Sequence, residues 1–138
     1  IERSLKAEEI IHKFIKEVKE LYKLDNSKIC LSGFSQGCMM SINIGLTSDE
    51  NFNCVVGFSG KIIDKDNLSK RISSSTKMLL LHGDLDTVVP PSNLLDTKDF
   101  LLRNKIQIET TMISNCEHHI SVKASSIALN YLKKNLFI

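Results

Sequence analysis

An α/β fold, with a parallel sheet of about four strands and flanking helices, is what this sequence predicts, and three observations carry the prediction. Short, continuously apolar runs alternate with stretches whose apolar residues recur at spacings of three and four. Each apolar run gives way to a polar or glycine-containing loop. The length, 138 residues, suits one domain around one core, so the alternation describes a single sheet.

The elements follow in order. Over residues 8–24 the apolar Ile10, Ile11, Phe14, Ile15, Val18, Leu21 and Tyr22 alternate with Lys and Glu, the pattern of an amphipathic helix. Asp25, Asn26 and Ser27 break it, and Lys28, Ile29, Cys30, Leu31 and Ser32 form a first buried strand that ends at Gly33. Residues 38–46, from Cys38 to Leu46, are long enough for about three helical turns and close at a polar stretch. Residues 54–58 and 78–81 are unbroken apolar runs, as expected of strands covered on both faces. Between them, residues 61–76 are rich in Lys, Asp, Asn and Ser and read as an excursion loop with one helical turn. Pro90 and Pro91 introduce a helix carrying Leu94, Leu95, Phe100, Leu101 and Leu102, with Pro91 suited to its first turn. Residues 106–112 read as a fourth strand. Residues 122–136 place Ala124, Ile127, Ala128, Tyr131 and Leu132 on one face of a last helix.

Composition excludes several classes. The chain is 42% hydrophobic and 25% charged, ordinary for a globular protein. No apolar run approaches the roughly 20 residues that span a bilayer, so no integral membrane segment is expected. The net charge of +2 arises from 18 basic and 16 acidic residues spread along the chain, and no basic stripe marks a nucleic-acid partner. Cys30, Cys38, Cys54 and Cys116 lack C-x-x-C spacing, and three of them sit in apolar segments. They read as reduced thiols, which points to the cytoplasm.

Chemistry concentrates at Gly33-Phe34-Ser35-Gln36-Gly37, a G-x-S-x-G pattern placed where a strand meets a helix. In that setting the serine occupies a strained turn and stands exposed above the sheet. A glycine-flanked serine at a strand end could also be only a tight turn. A serine hydroxyl attacks well only if a base takes its proton, so the nucleophile reading requires an acid and a histidine further along the chain. The loop after the third strand offers Asp84 and Asp86, each of which could instead serve a turn or a helix cap. The loop after the fourth strand offers His118 and His119. His12, on the first helix, and His82, at a strand end, read as structural. A zinc site of His82, Asp84, His118 and His119 lacks the ligand spacing such sites show, so no metal is expected. A flavodoxin-like or receiver-like domain would fit the alternation and leave these motifs unexplained.

With these residues in place, the chain resembles the phospholipase/carboxylesterase family of α/β-hydrolases, which includes the acyl-protein thioesterases. The likeness rests on Gly33-Phe34-Ser35-Gln36-Gly37, on His82-Gly83-Asp84-Leu85-Asp86-Thr87-Val88-Val89-Pro90, on His118-His119-Ile120, and on Phe58-Ser59-Gly60 at the end of its strand. The family pattern H-G-x-x-D-x-x-V-P implies Asp86 as the acid. The pattern G-H-x-I implies His118 as the base, with Glu117 standing where the family has glycine. The resemblance therefore implies a triad of Ser35, Asp86 and His118 acting on a small ester or acyl-thioester without a cofactor, and the Gln36 backbone N–H as an oxyanion donor. Family chains are considerably longer on the N-terminal side, where further strands and an H-G-x-G-like loop supply the second oxyanion donor. This sequence has no counterpart before Ser35, so the expectation is a truncated α/β-hydrolase domain. Its strand of residues 28–32, central in the family, would be an apolar edge open to self-association.

Overall fold

The computed structural model describes residues 2–136 of the chain. Four strands, β1 (Cys30–Phe34), β2 (Cys54–Phe58), β3 (Met78–Gly83) and β4 (Ile108–Ile113), pair in sequence order, all parallel. Five helices accompany them: α1 (Glu2–Tyr22), α2 (Gln36–Thr47), α3 (Lys65–Arg71), α4 (Ser92–Arg103) and α5 (Val122–Asn135). This is the parallel α/β sheet that the sequence predicts.

Alternation along the central strands builds two cores. Val55, Met78 and Leu80 point to one face, where they meet Ile42 and Leu46 of α2, Leu68 of α3 and Leu94, Phe100 and Leu101 of α4. Cys54, Val56, Phe58, Leu79 and Leu81 point to the other and meet Ala124, Ala128 and Tyr131 of α5. The topology explains the division. When strands are added in one direction with crossovers of one hand, the connecting helices α2, α3 and α4 fall on the same face, and the opposite face is left for α5.

Several boundaries differ from the sequence reading. The first strand runs from Cys30 to Phe34, because Asn26–Lys28 is a 3-10 turn capped by the Asp25 carboxylate, which accepts from the Ser27 N–H. The excursion of residues 61–76 holds a seven-residue helix, α3, rather than a single turn. Asp64 caps it by accepting from the Asn67 N–H at 3.0 Å, and Leu68 anchors it in the core. Pro91 stands one residue ahead of α4, at its N-cap rather than in its first turn. Ile106 is buried in the core before β4 begins at Ile108.

The first helix departs most from expectation. Ile11, Ile15 and Val18 are half-buried, whereas Ile10, Phe14 and Leu21, the other half of its apolar face, are 62%, 59% and 72% exposed. An ion pair between a half-buried guanidinium and a buried carboxylate helps to hold α1: Glu8 accepts from Arg71 of α3 at 2.9 Å and 3.5 Å, and Arg71 Nε also donates to Asn67.

Candidate active site

The carboxyl ends of the four strands place the candidate residues together. Ser35 lies between β1 and α2 with φ 55° and ψ −114°, a left-handed conformation that a non-glycine residue adopts at a cost of about 1–3 kcal/mol. Two local features hold it there. The Ser35 N–H donates to the Phe58 carbonyl at the end of β2 at 2.8 Å. Gly33 lets the turn close: a Cβ at that position would stand 2.2 Å from the Gly37 carbonyl carbon and oxygen. The strand therefore enters the helix through a turn that points the serine side chain outward.

The acid loop is built with similar economy. Asp86 follows β3, is 3% exposed, and accepts from the backbone N–H groups of Val88 at 2.9 Å and Val89 at 2.8 Å through Oδ1. Its second oxygen, Oδ2, accepts from His118 Nδ1 at 2.7 Å. Burial pushes the Asp86 carboxyl up, but its hydrogen bonds to His118 and to the Val89 and Val88 amides outweigh that and hold it below the usual carboxylate value. With His118 Nδ1–H donating to Asp86, Nε2 is left as an acceptor, and the Ser35 hydroxyl lies 3.1 Å from it. The Phe34 ring leans on the same imidazole, with ring centroids 4.8 Å apart.

Asp84 and His119 take other positions. The Asp84 carboxylate accepts from the Cys116 N–H at 3.4 Å, and its own N–H donates to Ile113 at 3.0 Å, so it fastens the loop that carries His118. Close approach of that loop requires Gly83, where a Cβ would meet the Cys116 carbonyl oxygen at 2.1 Å. His119 Nε2 stands 4.0 Å from the Cys116 sulfur. His82 is buried beneath the site, its Nε2–H donating to the Val89 carbonyl at 2.8 Å, with Asp86 Oδ2 at 3.3 Å. It thus braces the acid loop. Among the described residues, no group of three or more His, Cys, Asp or Glu side chains is gathered as a metal site would require.

Gln36 is the first residue of α2, and its N–H is one of those that a helix start leaves without an intrahelical acceptor. It stands directly after Ser35, at the positive end of the helix dipole. Phe34 and His82 were not singled out by sequence as site residues, because their contacts are made across elements far apart in the chain. The signals for His82 were its spacing of four from Asp86 and its place at the head of the H-G-x-x-D pattern.

A parallel sheet with a serine at the β1–α2 turn and a histidine and an acid on the later strand-end loops defines an α/β hydrolase. The sequence model of the phospholipase/carboxylesterase family matches residues 2–136, and the chain belongs to that family. It is 27% identical over 116 residues to acyl-protein thioesterase 1 of Yarrowia lipolytica, covering 80% of this chain and 51% of the relative. It is 33% identical over 91 residues to acyl-protein thioesterase 1 of Emericella nidulans, covering 62% and 38%. The fold superposes on the crystal structure of esterase PE8 with a TM-score of 0.93 at 28% identity, covering 96% of this chain and 62% of that one. The chain thus spans about half or less of the length of these curated relatives.

Proposed function

We propose that this chain carries the nucleophile, acid and base of a serine esterase that hydrolyses carboxylic esters or thioesters of the lysophospholipid or acyl-protein type. One observation carries the reading: Ser35 Oγ lies 3.1 Å from His118 Nε2, whose Nδ1 lies 2.7 Å from a buried Asp86 carboxylate. His118 takes the Ser35 proton as Ser35 attacks the carbonyl carbon, and Asp86 orients and stabilises the imidazolium. The Gln36 N–H faces the oxyanion that develops. His118 then protonates the leaving alcohol or thiol, and water, deprotonated by His118, releases the acid. The chemistry calls for no metal or organic cofactor.

The surroundings support an acyl substrate. Phe34, Leu85, Val88 and Ile120 stand exposed at the strand ends or in the loops that carry the triad, apolar surface that an acyl chain would cover. A reducing compartment such as the cytoplasm suits four cysteines carried as thiols.

A competing reading, a hydrolase relative that serves as a binding or assembly module with weak or no turnover, rests on the edge of β1, which has no strand beside it among the described residues. A fluorophosphonate probe decides between them. The esterase reading expects the label on Ser35 by peptide mapping, lost in Ser35→Ala and in His118→Ala. A single oxyanion donor would slow the reaction by about 10²–10³ without abolishing it. A folded chain that takes no label on long incubation leaves the module reading standing.

A further inference from the structure

Two thiols outside the site face each other across the first pair of strands. In the parallel register of β1 and β2, Cys30 is the direct partner of Cys54. Directly paired residues project to the same face, and both sulfurs join the cluster beneath α5, alongside Tyr131. Cys54 is wholly buried, while Cys30 is only half-buried because β1 is the edge of the sheet and α5 covers the middle strands. The two thiols shift each other's titration. The neighbouring Cys54 thiol, and then burial, push the Cys30 thiol up, while Cys30 Sγ itself donates to the Leu31 carbonyl at 3.5 Å. The neighbouring Cys30 thiol holds Cys54 below the usual thiol value against its burial, with the charge of Lys77 adding to the effect.

We propose that Cys30 and Cys54 are a redox-active dithiol that closes reversibly to a disulfide and ties the edge strand to the sheet. Adjacent strands lie about 4.8 Å apart, inside the Cα separation of about 4.4–6.8 Å that disulfides tolerate. The Cβ atoms must approach to about 3.5–4.5 Å, slightly less than the strand spacing, so closure draws β1 inward. An edge strand with one neighbour can make that movement. A bond on the half-exposed edge of the sheet lies within reach of reducing thiols, which is the property of a reversible rather than a structural disulfide.

The oxidant class is a low-molecular-weight disulfide such as oxidised glutathione. Cys30, the sulfur that solvent reaches, gives its proton to solvent and attacks one glutathione sulfur as the thiolate, a slow step because its thiol is pushed up; the glutathione S–S bond breaks and the departing thiolate takes up a proton. Cys54 then attacks the Cys30 sulfur and expels the second glutathione, which takes the Cys54 proton. Two protein thiols become one disulfide, and one glutathione disulfide becomes two thiols. Cys38 lies on the opposite face of the sheet, where burial pushes its thiol up to about 12, and Cys116 lies in the loop after β4. Neither has a cysteine opposite it in the strand register.

The test equilibrates the whole chain with oxidised and reduced glutathione over a range of ratios, alkylates the remaining thiols and maps the peptides. The expected result is a Cys30–Cys54 crosslink with the loss of two hydrogens, reversed by dithiothreitol and retained in Cys38→Ser. In Cys54→Val the reaction should stop at one glutathione on Cys30. Four alkylated cysteines in the folded wild type at the most oxidising ratio, or a crosslink that uses Cys38 or Cys116, would overturn the proposal. The wild-type map decides the matter even if Cys54→Val fails to fold, and neither readout depends on Ser35 being reactive.

Discussion

Asp86 shows how one side chain answers for several backbone groups. Its Oδ1 accepts two amides, and its Oδ2 faces His118, with His82 packed beneath. Asp86→Asn would keep the shape, but an amide that must donate from one side cannot hold the imidazole tautomer that leaves Nε2 free. Fluorophosphonate labelling of Ser35 is expected to slow by up to about 10⁴-fold, as in triads of this kind, with the fold intact by circular dichroism. The sign of the pH effect follows from the lowered Asp86 carboxyl. Its contribution to stability is fully present above the unfolded value of about 3.9 and is lost as pH falls through the lower folded value. Denaturant midpoints should therefore fall over that acid window in the wild type, and less steeply in Asp86→Asn; equal slopes would mean that the carboxylate is not held as described. The candidate residue types and their order, serine, acid, histidine, could be read from the sequence because the proposed chemistry dictates them, and the structure brings Ser35, Asp86 and His118 within hydrogen-bond reach. The choice of Asp86 over Asp84 was not legible from spacing alone: both sit in one loop, and only the fold shows that Asp84 is engaged by the Cys116 amide.

At the level of elements, the helices and strands that carry periodic or continuous apolar residues were legible, and α3 was less so. With Leu68 as its only buried residue, α3 offers almost no periodicity, and its signal was the Asp64 cap. What fixes it lies 63 positions away in sequence, where Arg71 meets the buried Glu8 of α1. Arg71→Met removes a charged donor and leaves a buried carboxylate unpaired, and is expected to cost about 2–3 kcal/mol in chemical denaturation. Adding Glu8→Gln should return part of that loss, since the group left behind no longer carries a charge. If the two changes simply add, the pair does not couple α1 to α3. The same helix shows where periodicity stops informing. Its pattern marks seven apolar residues as one broad face, but cannot tell which of them meet α2 and which stay exposed.

The whole molecule presents a sheet with unequal edges. β4 carries Glu109 in its interior, a charge that discourages pairing with another strand, whereas Cys30-Leu31-Ser32-Gly33-Phe34 has no charge or proline to guard it. The α1 face, with Ile10, Phe14 and Leu21 exposed, adds apolar surface that a monomer would leave in water. For this 138-residue chain we propose self-association, as the sequence led us to expect for the strand around residues 28–32, with Cys30–Phe34 as the pairing segment. Two copies related by a twofold axis could place their β1 edges side by side, each supplying the N–H and C=O groups the other lacks. Ser32 is exposed in the middle of that strand, so Ser32→Lys puts a charge on the pairing edge without disturbing either core. Sedimentation velocity across a concentration series should show the wild type shifting toward a larger species and Ser32→Lys remaining the size of one chain. A wild type that stays monomeric at every concentration, with β1 amides exchanging as fast as those of a free edge, would show that this edge is tolerated in water, and the exposed apolar face of α1 would need another explanation.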